Sequence, residues 1–99
     1  MNMRNINSNV FRPGKTHTLS ATTSSGATRT SAFTTQINEV MVTATAACFI
    51  EFGGDPTAAT STTYIAAATP YFFRVSEANK CAAITGTGTS SVYITELTR

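Results

Sequence analysis

Apolar and polar residues alternate with period two through most of the chain beyond residue 38. Val40, Val42 and Ala44 alternate with Met41, Thr43 and Thr45. Cys48, Ile50 and Phe52 alternate with Phe49 and Glu51. Successive side chains of a strand point to opposite faces, so these runs predict two strands with one face buried and a turn near Ala46-Ala47. Tyr71, Phe73 and Val75 form a further predicted inward face, with Phe72 and Arg74 pointing out. Cys81-Ala82-Ala83-Ile84-Thr85 and Ser91-Val92-Tyr93-Ile94-Thr95 predict a closing pair around Gly86-Thr87-Gly88, and Tyr64-Ile65 a short strand.

Breakers separate these runs. Gly53-Gly54-Asp55-Pro56 ends a strand firmly, because Gly permits positive φ and Pro cannot donate to a ladder, and a polar loop runs on to Thr62. Ala66 to Pro70 reads as a connection; Ala66-Ala67-Ala68 favours a helix by propensity but is too short to form one. Glu77-Ala78-Asn79-Lys80 is a turn. Between Thr16 and Phe33, two Thr/Ser-rich segments flank Ser24-Ser25-Gly26, the spacing of a hairpin or a corner. Pro13-Gly14 is a strong turn signal, and it divides an extended N-terminal arm, residues 1–15, from a domain spanning 16–99. The fold class is all-β: a small antiparallel β-sandwich or barrel of seven or eight short strands, carrying that arm.

Composition sharpens this reading. Roughly a fifth of the residues are Thr, which packs well on a pleated surface, Leu is scarce and Trp is absent. One domain of this size buries only about 60–65% of its unfolded surface, so contacts with a partner would add useful burial. The formal net charge is +2, too small for the field of a nucleic-acid binder, but its distribution is uneven. Arg4, Arg12, Lys15 and Arg29 all precede the first carboxylate, Glu39. A basic arm on a nearly neutral body points to an acidic or large protein partner and to an assembly component. Within the arm, Val10 and Phe11 beside Arg12 and Lys15 offer an apolar anchor flanked by cations. Neither a secretory leader nor an apolar run long enough to span a membrane is apparent, which predicts a protein made in a cytosol with no membrane partner.

Candidate chemistry is sparse. His17, the single histidine, reads as a surface or arm-packing residue, and the carboxylates Glu39, Glu51, Asp55, Glu77 and Glu96 read as solvated or turn residues. Cys48 and Cys81 read as buried thiols, too far apart in sequence for a zinc-type spacing. The glycine pairs do not open helices and so are not phosphate loops. The expectation is a non-enzyme with no cofactor and no metal. Phe72 and Arg74, alternating on a strand, suit interface packing better than stacking on single-stranded nucleic acid.

Residues 19 to 97 resemble small virion proteins of tailed bacteriophages. The resemblance rests on a Thr/Ser-rich opening (Leu19 to Phe33), Phe49-Ile50-Glu51-Phe52-Gly53, the loop with Thr60-Ser61-Thr62, Tyr71-Phe72-Phe73-Arg74-Val75, Cys81-Ala82-Ala83-Ile84 and Val92-Tyr93-Ile94-Thr95-Glu96. It implies a β-sandwich on the outer capsid surface: a decoration or cement protein that bridges major capsid subunits and contacts copies of itself, with a trimer among the possible oligomers. The same likeness accommodates a head–tail connector, tail or fibre-base component. A carbohydrate-binding module using Tyr64, Tyr71, Phe72 and Tyr93 is an alternative of another class.

Overall fold

In a computed structural model, which describes residues 12–76 and 79–98, seven strands form two antiparallel sheets packed face to face. These are β1 (Arg12–Ala21), β2 (Glu39–Ala44), β3 (Cys48–Gly53), β4 (Thr63–Ile65), β5 (Tyr71–Arg74), β6 (Lys80–Ile84) and β7 (Ser90–Thr98). The four-stranded sheet runs β1-β7-β2-β5 and the three-stranded sheet β4-β3-β6. The all-β expectation holds, as a sandwich, with no helix among the described residues.

The alternation read from the sequence sets the core. Val40, Val42 and Ala44 of β2 meet Cys48 and Ile50 of β3, Cys81 and Ala83 of β6, and Val92 and Ile94 of β7, all buried. Leu19 and Ala21 of β1 complete the layer, and Phe52, Tyr71 and Phe73 close it at one side. The Phe73 ring packs 5.4 Å from Phe52 and 6.3 Å from Tyr71. No single side chain dominates so small a core, and its stability is distributed over short aliphatics.

Two local expectations are corrected and a third is narrowed. Pro13-Gly14 does not turn the chain. It lies in edge strand β1, where the register against β7 slips between Pro13 and Thr16. Proline is tolerated at an edge or a bulge, where its missing N–H costs no ladder bond. Consequently Arg12 and Lys15 belong to a paired strand. Of the hairpin and the corner open to the Thr16 to Phe33 stretch, the structure has the corner: it follows β1 and crosses to the other sheet, touching β6 through an isolated bridge between Arg29 and Ala82. Residues 81–85 and 91–95 also do not pair with each other, because Gly86 to Gly88 carries the chain from β6 in one sheet to β7 in the other. Glu77, Ala78 and Arg4, Val10 and Phe11 of the arm lie outside the described residues.

The crossing segment runs along the free edge of β6 and, with the loop at Ala58, covers that side of the three-stranded sheet, while Glu51 and Tyr64 on its outward face stay exposed. Ala58 N–H donates to Gly26 O at 2.9 Å, and Ser25 Oγ donates to Ala83 O at 2.7 Å. Gly26 is required by this contact, since a Cβ there would stand 2.4 Å from Ala58 O. Arg29 clamps the same region, with Nε 2.6 Å from Pro56 O and an ion pair of 3.1 Å to Asp55. Beneath this cover the outward-facing Ala82 is fully buried.

Candidate functional site

The outward face of the four-stranded sheet is left open. Register places Thr16, Thr95, Met41 and Phe72 on one rung across all four strands, and Thr18, Tyr93 and Thr43 on the next. Phe72 is 62% and Tyr93 41% exposed. Thr16 and Thr95 join their hydroxyls at 3.1 Å, which uses polar groups within the face itself. The result is a pleated surface of hydroxyls around exposed aromatic rings, with charge confined to one end. That end holds Arg12 opposite Thr98 and Glu39 opposite Arg74.

Of the sequence-predicted contact residues, Phe72 and Arg74 project from the same side of β5, as their spacing requires, and both are exposed. Arg12 and Lys15 are exposed on β1. These pairs occupy opposite edges of one sheet, separated by β7 and β2, roughly 14 Å at ordinary strand spacing. The structure therefore puts them at one end of one sheet without gathering them into a cluster.

Exposed aromatics divide between the two faces. Tyr64 sits on the outer side of the three-stranded sheet, edge-on to Phe49 at 5.5 Å, away from Phe72 and Tyr93. Tyr71 is half-buried and its hydroxyl accepts a hydrogen bond from Ala66 N–H at 3.1 Å. The four rings named for carbohydrate stacking do not form one platform.

Sequence reasoning missed a buried ionisable pair. His17 and Glu96 point inward from β1 and β7, and their side chains are each only 3% exposed. His17 Nε2 donates to Glu96 Oε2 at 2.8 Å, and the same oxygen accepts the Thr34 N–H at 3.0 Å. The Phe33 ring stands edge-on to His17, with centroids 5.2 Å apart. Burial pushes the Glu96 carboxyl up, but the hydrogen bonds from His17 and Thr34 outweigh it and hold the group below its ordinary value. Sealed from solvent, this pair ties β1, β7 and residues 33–34 together. The expectation of a surface histidine and a solvated Glu96 is thus overturned, and parity gave the signal: Glu96 falls in step with Val92 and Ile94, and His17 with Leu19 and Ala21.

Thr34 also begins one wall of an open groove of about 560 Å³, completed by Glu39, Arg74, Leu97 and Thr98. Cys48 and Cys81 are free, buried thiols. Burial, with lesser contributions from Cys48 and Glu51, pushes the Cys81 thiol up to about 12. Such a thiol stays protonated and is a poor nucleophile. No group of three or more His, Cys, Asp or Glu side chains suited to a metal occurs among the described residues. Comparison of the chain with protein-family models, curated proteins and solved structures finds no match.

Proposed function

We propose that this chain is a structural protein of a tailed-phage particle, acting as a decoration or cement protein on the outer shell. The observation that carries the reading is the asymmetry of the sandwich. One outward face is covered on its β6 side by the chain's own crossing segment, leaving Tyr64 and Glu51 exposed, and the other presents Phe72 and Tyr93 among threonines with hardly any charge. An apolar centre with a hydroxyl rim suits docking onto a protein surface, and it needs no pocket or catalytic group. Four of the six landmarks of the virion resemblance fall on β3, β5, β6 and β7, and the other two on the end of β1 with the corner after it and on the loop before β4. Residues 1–11, with Arg4, Val10 and Phe11, precede β1 at the sheet end that carries Arg12, Lys15 and Arg74. Many copies, each adding a modest contact across neighbouring capsid subunits, would clamp a shell against internal pressure.

A cryo-electron reconstruction of intact particles tests this. Regular density on the outside of the head, with the open sheet face or the arm against capsid subunits, is the expected result. Density confined to the neck or tail would move the same sandwich to a connector or fibre-base role, and absence from purified particles would overturn the virion reading. Deleting residues 1–11, which leaves β1 whole, is expected to preserve the circular dichroism of the sandwich and weaken shell binding in a salt-sensitive way.

A further inference from the structure

Among the described residues the outer edge of β5 pairs with no strand, and its register defines its complement. Val75 N–H donates to Asn38 O at 2.8 Å, and the same register runs on through Phe73 opposite Val40 and Tyr71 opposite Val42. Bonded and non-bonded pairs alternate along an antiparallel ladder, so Tyr71 and Phe73 direct their backbone groups to β2. Phe72 and Arg74 therefore direct their N–H and C=O groups off the sheet. The stretch is bounded at both ends. Pro70 has no N–H, and the Ser76 N–H is already taken by Asn79 Oδ1 at 2.9 Å.

We propose that this edge is the two-fold interface of a homodimer, in which β5 pairs antiparallel with β5 of a second copy about an axis through Phe73. The inference goes beyond the virion reading and holds with or without it. In this register Phe72 lies opposite Arg74 of the second copy, twice over, and the two bonded pairs satisfy both N–H and both C=O groups on each side. The exposed Phe72 ring meets the partner guanidinium, an aromatic–cation pair on the open face. Arg74 is the one charged side chain on β5, and the register sets it against an aromatic ring with the two arginines diagonal to each other. Phe73 meets its own copy on the inner side, extending the Phe52, Tyr71 and Phe73 layer. A second copy thus supplies the matching chemistry at every position, and the two four-stranded sheets become one continuous sheet.

Sedimentation equilibrium of the full chain, taken up to about 1 mM to cover weak association, tests this together with amide exchange by NMR. The expected mass climbs from 10.4 kDa toward twice that value. Over the same range the amides of Phe72 and Arg74 gain protection. Phe72→Pro removes one edge donor at a position where an edge strand tolerates proline, and should stay monomeric with the other β-sheet resonances in place. Phe72→Thr, which keeps the backbone donor and strand propensity, should weaken association at least about tenfold through loss of the ring. It keeps the test alive if the proline variant does not fold. A monomer at every concentration would overturn the proposal, as would protection gained at β1 or β4, or undiminished dimerisation of both variants.

Discussion

The two outward faces of this sandwich solve the same problem differently. The three-stranded sheet is covered by its own chain along β6, though not over Tyr64: Gly26 presses against Ala58, Arg29 grips Pro56, and Ala82 is fully buried although it faces outward. The four-stranded sheet keeps Phe72 and Tyr93 exposed. In a domain this small, each covered face consumes connecting chain, and the long crossing after β1 is spent on one sheet only. The other face is where a partner can add what the chain does not supply.

The contrast is most severely broken at the seam both sheets share. Replacing Glu96 with Ala strands His17 and the Thr34 N–H in a dry site, and about 4 kcal/mol of stability should be lost in urea titration. The same carboxylate sets an acid limit. Because its folded value is depressed, its contribution is complete above the ordinary carboxyl value of 4.5 and disappears as pH falls through the lowered one. Thermal melts of the parent protein should therefore fall in that acid window by more than those of Glu96→Gln.

Gly26→Ala attacks the cover along β6 alone. Its new methyl collides with a backbone oxygen, so about 3 kcal/mol should be lost and the Ala58 amide should exchange faster. Arg29→Ala removes one well-made bond to Pro56 O and a largely exposed ion pair, for about 1 kcal/mol. Asp55→Ala should be nearly silent in the same assay, because that carboxylate is exposed and screened. At the other extreme, Tyr93→Thr on the open face should change stability by less than about 0.5 kcal/mol while weakening partner binding. A large loss of stability there would mean that the open face belongs to the fold and not to a partner.

The strands were legible because period-two alternation acts directly on burial. Val40 to Ala44, Cys48 to Phe52 and Tyr71 to Val75 each show it, and each buries the expected side. Pairing was less legible. Gly86-Thr87-Gly88 and Ser24-Ser25-Gly26 mark where the backbone changes direction, but a turn signal does not say whether the next strand returns to the same sheet or crosses to the other. Gly86-Thr87-Gly88 reads as the turn of a closing pair and is a crossing between sheets; Ser24-Ser25-Gly26 reads as a hairpin or a corner, and it is the corner. Pro13-Gly14 shows that one dipeptide serves a turn or an edge bulge, since both need a residue without a ladder N–H. Glu96 was hidden by a rule of thumb, that carboxylates face water, which a histidine 79 residues upstream made inapplicable. For Phe72 and Arg74, spacing alone placed both on one face. That they sit on an edge strand followed only from the strand order.

The position of β7 has a temporal consequence. It lies between β1 and β2, so the strand made first and the strand made second share no bond until residues 90–98 arrive to join them. During synthesis β2 and β5 can pair with each other, but β1 stays unjoined to them until β7 closes the larger sheet in one late step. A chain interrupted before Ser90 lacks the one strand that ties its beginning to the rest of its sheet.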